Sequence, residues 1–123
     1  MKTTSPRILF VDDHEDTRTM IAALLRPAGY EVIAADGVRE GLRLAQTFSF
    51  DLYLLDSKYA DGSGAELCEK IREFDEKTPI LFYTGEHPSQ LAEHLECHIQ
   101  GYVMKPGLDI LHKEINRALA ATN

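Results

Sequence analysis

No stretch of this chain stays apolar long enough to span a bilayer, and Met1 to Pro6 hold no apolar core of the kind that opens a secretion signal. A membrane is therefore not an expected partner. Cations are also scarce: 13 Lys and Arg stand against 20 Asp and Glu, a formal net charge of -7. A nucleic-acid surface needs clustered Lys and Arg to neutralise phosphates, so no nucleic acid is expected to bind. The two cysteines, Cys68 and Cys97, show neither metal-binding nor redox spacing, and one pair makes no disulfide framework. A reducing cytoplasm suits such a chain. Internal repeats, low-complexity tracts and linkers are missing too.

What is present is ordinary globular composition. Hydrophobic residues make up 44% and charged residues 27% of 123 positions, enough for one domain over 1–123 with a real core. Arg7-Ile-Leu-Phe-Val11 reads as a first strand, ending at Asp12-Asp13. Met20, Ile21, Leu24 and Leu25 then recur at helical spacing until Pro27 and Gly29 stop them. Glu31 to Ala35 is a second strand, and Val38, Leu42, Leu44 and Ala45 mark a helix to about Phe48. The run Leu52 to Leu55 is apolar on both faces, as in a parallel sheet, and closes on Asp56. A Gly-rich loop leads to a third helix with Leu67, Cys68, Ile71 and Phe74 in one stripe. Pro79 to Tyr83 is a fourth strand, ending at Thr84-Gly85, and Pro88 opens a short helix carrying Leu91, Ala92 and Leu95. Ile99 to Met104 is a fifth strand, stopped by Lys105-Pro106, and Leu108, Leu111, Ile115 and Leu119 define a last amphipathic helix.

Strand and helix alternate five times. That pattern predicts an α/β fold: a five-stranded parallel sheet, order 2-1-3-4-5, covered by five helices in the flavodoxin-like (βα)5 manner. The strand ends then bring Asp12-Asp13, Asp56, Thr84 and Lys105 to one edge, where open α/β sheets gather their chemistry. Taken alone, Asp56 reads equally well as the cap of the next helix. Three neighbouring carboxylates, however, repel one another unless a cation compensates them. Mg²⁺ favours such hard oxygen ligands and works with one or two carboxylates plus phosphate. A carboxylate nucleophile, a metal, an ammonium and a hydroxyl are the parts of phosphoryl transfer to an aspartate.

The residues Val11-Asp12-Asp13, Leu54-Leu55-Asp56, Thr84 and Lys105-Pro106, each at a strand end, resemble the pattern of response-regulator receiver domains. These are the CheY-like phosphoproteins of two-component, bacterial-type signalling, and the resemblance covers essentially the whole chain. It implies that Asp56 is phosphorylated and that Asp12 and Asp13 bind Mg²⁺ (or Mn²⁺), with Asp56 and the backbone carbonyl of Lys58 as further ligands. It implies Thr84 as the switch hydroxyl, Tyr102 as the aromatic that turns with it, and Lys105 as the partner of the phosphoryl oxygens, often before a cis proline. The implied donor is a histidine kinase or phosphotransfer protein. The implied output is a changed α4-β5-α5 surface that controls partner binding, in a signalling domain with self-phosphorylation and autodephosphorylation only.

The chain leaves that pattern in several places. Ala60 stands where most receivers have Pro, which predicts a looser loop. Gly85 replaces a common Ala and predicts wider access. His98-Ile99 replace the usual Gly-Ala pair. Lys58 and Glu86 lie two residues beyond Asp56 and Thr84, where together they could tune the lifetime of the phosphorylated state. His94 and His98, four apart, lack a third ligand for a zinc site, and His14 reads as a helix-start residue. With no output domain in sight, a stand-alone regulator is expected. The alternatives are a phosphorelay intermediate and a module of a larger hybrid kinase or transcription regulator. An aspartate-nucleophile phosphatase fits less well, because such enzymes need a second Asp where Lys58 stands.

Overall fold

The computed structural model describes residues 5–92 and 97–121. Five strands form one parallel sheet: β1 (Arg7–Val11), β2 (Glu31–Ala35), β3 (Leu52–Leu55), β4 (Ile80–Thr84) and β5 (Gly101–Met104). They lie side by side in the order β2-β1-β3-β4-β5, as the alternation of patterns predicts. The helices are α1 (Glu15–Leu25), α2 (Val38–Thr47), α3 (Gly64–Arg72), α4 (Pro88–Ala92) and α5 (Leu108–Ala121). Among the described residues no helix is long and apolar enough to cross a membrane.

Alternation along the strands divides the core into two layers. Leu9, Val11, Leu55 and Phe82 face one side, where Leu44 and Ala45 of α2 and Leu67, Cys68 and Ile71 of α3 cover them. Ile8, Phe10, Leu54 and Leu81 face the other side, under Ile21, Ala22 and Leu25 of α1 and Leu111, Ile115 and Ala118 of α5. Each fully buried aliphatic side chain stabilises the fold by roughly 1.5–3 kcal/mol. The central strands β3 and β4 are buried at every position, which is why their sequences run apolar without alternation.

Several expected core positions lie elsewhere. Met20 and Phe74 are each 45% exposed, and Ala22 takes the inward place on α1 that the spacing assigned to Met20. Phe74 falls outside α3, which ends at Arg72. The fifth strand starts at Gly101 rather than Ile99, and Met104 is exposed on this edge strand. The loop after Asp56, expected to be irregular, contains a two-residue antiparallel ladder, Lys58–Tyr59 with Gly62–Ser63. Cys68 and Cys97, the single possible pair, are joined in a disulfide with their Cα atoms 6.2 Å apart, a link that the sequence reading did not expect. Their separation of 29 residues gave no sign that α3 meets the approach to β5. The side chains of Leu91 and Ala92, and all of His94 and Leu95, lie outside the described residues.

Helix starts settle one ambiguity. Ser63 is the N-cap of α3, and its hydroxyl accepts from the Glu66 amide at 3.0 Å. Asp56 is therefore free of capping duty. Helix α2 is capped from a distance: the Asp61 carboxylate accepts from Val38 N at 2.8 Å and Arg39 N at 3.0 Å. The loop that follows β3 is thus tied to α2 as well as α3.

Candidate functional site

The carboxyl ends of β1, β3, β4 and β5 meet at one edge of the sheet. Asp12 follows β1 and is fully buried, with its Oδ2 accepting from Lys105 Nζ at 2.7 Å. Its Oδ1 accepts from the His14 amide at 2.9 Å, and its carbonyl from Arg18 Nη1 at 2.7 Å. Asp13 turns outward, with its Oδ1 at 3.1 Å from His14 Nδ1. Asp56 follows β3 and is only 8% exposed. Its Oδ2 accepts from Lys105 Nζ at 2.9 Å and its Oδ1 from the Ser57 amide at 2.7 Å.

Lys105 reaches both carboxylates from the end of β5, where it precedes a cis peptide bond to Pro106. The turn is held by Tyr83, whose hydroxyl donates to the Pro106 carbonyl at 2.6 Å. Burial works against the Lys105 ammonium, but hydrogen bonds and charge from Asp12 and Asp56 outweigh it and push its pKa up. It is a fixed cation.

The Thr84 hydroxyl is engaged rather than free. It lies 2.8 Å from the Ser57 hydroxyl and accepts from the Glu86 amide at 3.1 Å. Tyr102 is half-buried against the α2–α3 side of the core, and its hydroxyl is enclosed with no hydrogen-bond partner among the described residues. Burial, with the charges of Glu86 and Asp56, raises its pKa. Lys58 projects into solvent and approaches Glu86 at 4.0 Å, with the two side chains 83% and 18% exposed. A Cβ on Gly85 would meet nothing within 4 Å, so the entrance beside Thr84 is open.

Asp12, Asp13, His14 and Asp56 each offer a ligand atom, all within 4.8 Å of one another. Three carboxylates gathered around the Lys105 ammonium are the hard oxygen donors that suit a divalent cation. The donor set therefore fits a hard metal ion. His14 occupies the N-cap position of α1, as its place in the sequence suggested, with its ring beside the carboxylates. His98 serves through its backbone: its carbonyl accepts from Arg72 Nε at 3.2 Å and Nη2 at 3.1 Å.

Two residues of the site were not legible in the sequence. Ser57 holds Thr84, and Tyr59 is buried beneath Asp56, its hydroxyl accepting from the Asp56 amide at 2.9 Å. A loop position carries no periodicity, so nothing in the spacing marks either one.

Comparison with known proteins agrees with this geometry. The model of the response regulator receiver domain family matches residues 8–116. A curated relative, the CAI-1 autoinducer sensor kinase/phosphatase CqsS of Vibrio cholerae, is 35% identical over 104 residues, covering 81% of this chain and 15% of its own length. The chain spans less than half the length of each curated relative compared, at most 45%. The solved receiver domain protein (CheY-like) from Methanospirillum hungatei superposes with a TM-score of 0.89 at 31% identity, covering 97% of both chains. The response regulator TrrA of Thermotoga maritima, solved in complex with Mg²⁺-BeF, gives 0.81 at 26% identity over 92% of this chain and 98% of its own.

Proposed function

The chain belongs to the response regulator receiver domain family, and on that premise we propose that it is a phosphoacceptor switch whose phosphorylated residue is Asp56. One observation carries the reading: Asp56 is a nearly buried carboxylate at a strand end, held by Lys105 and set among two further carboxylates and a hydroxyl. Phosphohistidine on a histidine kinase or phosphotransfer protein is the donor. An Asp56 oxygen attacks phosphorus in line, the new O–P bond forms as the N–P bond breaks, and the imidazole leaves with the electron pair. Mg²⁺ (or Mn²⁺), held by Asp12, Asp13, Asp56 and the Lys58 carbonyl, would supply positive charge at the phosphoryl oxygens.

The chain's own residues do the rest. Lys105 already spans Asp12 and Asp56, so its ammonium is in reach of a phosphoryl oxygen on Asp56 without leaving Asp12. Thr84 exchanges its bond with Ser57 for one to the phosphoryl group. The enclosed Tyr102 hydroxyl has no partner among the described residues, so it is poised to follow any nearby rearrangement that offers one. These shifts would alter the α4-β5-α5 surface and with it partner binding.

Residues 1–123 form a single receiver unit in this proposal, a signalling domain whose only chemistry is its own phosphorylation and dephosphorylation. A cytoplasmic location belongs to the same proposal, and there the Cys68–Cys97 pair would stand reduced. The likeness to a sensor kinase/phosphatase favours a second reading, a relay receiver within a longer protein. The test of the main reading is incubation with Mg²⁺ and a small phosphodonor, followed by intact-mass measurement. One phosphoryl adduct is expected on the native chain and none on Asp56→Asn; no native adduct, or equal adducts, would overturn it.

A further inference from the structure

Tyr59 lies three residues beyond Asp56 on the short ladder that begins at Lys58, and it is only 7% exposed. Its ring packs in the core layer with Val11, Val38 and Leu67. The hydroxyl stands where β1 and β3 end. It accepts from the Asp56 amide at 2.9 Å and donates to the Val11 carbonyl at 3.3 Å. The same amide and carbonyl also face each other directly at 3.2 Å, the last rung of the β1–β3 ladder. One phenol oxygen therefore braces the peptide that precedes Asp12, the backbone of Asp56, and the loop that includes Lys58.

Ala60, the residue after Tyr59, fixes no backbone angle of its own, so a side-chain brace anchored in the core is the constraint this part of the loop has. We propose that Tyr59 is a positioning residue: its hydroxyl fixes the spacing between the Asp12 and Asp56 strand ends and the Lys58 carbonyl, and so sets the affinity for the divalent cation and the rate of phosphoryl uptake. This inference rests on the phosphoacceptor reading of Asp56. It makes Tyr59 no part of the chemistry itself, since the hydroxyl points at backbone groups rather than at the reacting carboxylate oxygens.

The test is Tyr59→Phe, which deletes the oxygen and keeps the ring. The direct Asp56–Val11 hydrogen bond survives, so neither backbone group is orphaned and the variant should fold. Titration of Mg²⁺ followed by amide chemical shifts is expected to show a dissociation constant raised roughly five- to tenfold, the size of one hydrogen bond. With a small phosphodonor at saturating Mg²⁺, the maximal rate should fall while the donor concentration at half-maximum holds. Tyr59→Met, also without a hydroxyl, should repeat both effects and decides the matter if the Phe variant does not fold. A native Mg²⁺ constant in either folded variant would overturn the inference. Absence of any phosphoryl adduct on the native chain would instead overturn the reading of Asp56, while the Mg²⁺ constants still judge Tyr59.

Discussion

Replacing Gly64 with alanine should injure this protein at a position where helix propensity predicts improvement. Gly64 is the first residue of α3, and its amide donates to the Ser57 carbonyl at 2.9 Å. A Cβ there would lie 2.0 Å from the Asp56 carbonyl oxygen and 2.7 Å from Phe82 Cε2. Ordinary contact begins at 3.4 Å, so the shortfall is 1.4 Å on the backbone side (3.4 less 2.0) and 0.7 Å on the ring side (3.4 less 2.7). Phe82 is fully buried and cannot swing away. In an unobstructed helix, Gly→Ala stabilises by up to about 1 kcal/mol. Overpacking against backbone costs about 3 kcal/mol, the upper end of the usual range. Gly64→Ala should thus lose about 2 kcal/mol and roughly 6–10 °C in Tm. Because the displaced peptide bears Asp56, phosphoryl uptake should also slow, by up to about a hundredfold for a shift near 1 Å. Urea unfolding and the rate of adduct formation measure the two effects. Gly85→Ala, whose Cβ would meet nothing within 4 Å, is the control and should match the native chain in stability. A Gly64→Ala protein as stable as the native one would refute the packing argument.

Two further outcomes follow from side chains around the site and at the far end of the sheet. Lys58→Ala and Glu86→Ala should each shorten the phosphorylated lifetime roughly threefold, about 0.6 kcal/mol in barrier, by opening the path for water. The pair is long and Lys58 exposed, so stability should move by less than about 0.5 kcal/mol, and unchanged dephosphorylation in both variants would sink the tuning role. Acid stability should depend on Asp75. Burial alone would raise its pKa, but hydrogen bonds from Thr78, Lys77 and the Tyr53 hydroxyl outweigh burial and hold it below the ordinary value. A depressed folded-state pKa stabilises above the unfolded value, near 3.9, and that contribution vanishes as pH falls through the folded one. Urea unfolding between about pH 5 and pH 2 should show this loss in the native chain and a flatter profile in Asp75→Asn; parallel profiles would exclude the effect.

The amino-acid sequence by itself determined the strand and helix identities, because periodicity and turn residues act over a few neighbouring positions. Uninterrupted apolar runs marked β3 and β4 as interior strands, and five alternations imposed the parallel order, since right-handed crossovers leave few topologies. That order was enough to bring Asp12, Asp56, Thr84 and Lys105 to one edge, where the structure places them. Details set by distant contacts were illegible. Asp61 caps α2 from 23 positions away in sequence, Cys68 meets Cys97 across 29, and Arg72 grips the His98 carbonyl, all because the fold closes loops that no local pattern describes. Met20 and Phe74 mislead for the complementary reason: helical spacing shows which residues share a stripe but not how far the neighbouring element covers it. Around Asp56 the division is sharpest. Its place at the end of a buried strand is a property of the sequence. The hydroxyl groups that hold its surroundings, Ser57 on Thr84 and Tyr59 across Val11 and Asp56, are decided only by tertiary structure, because a hydrogen bond exists only once packing brings donor and acceptor within about 3 Å.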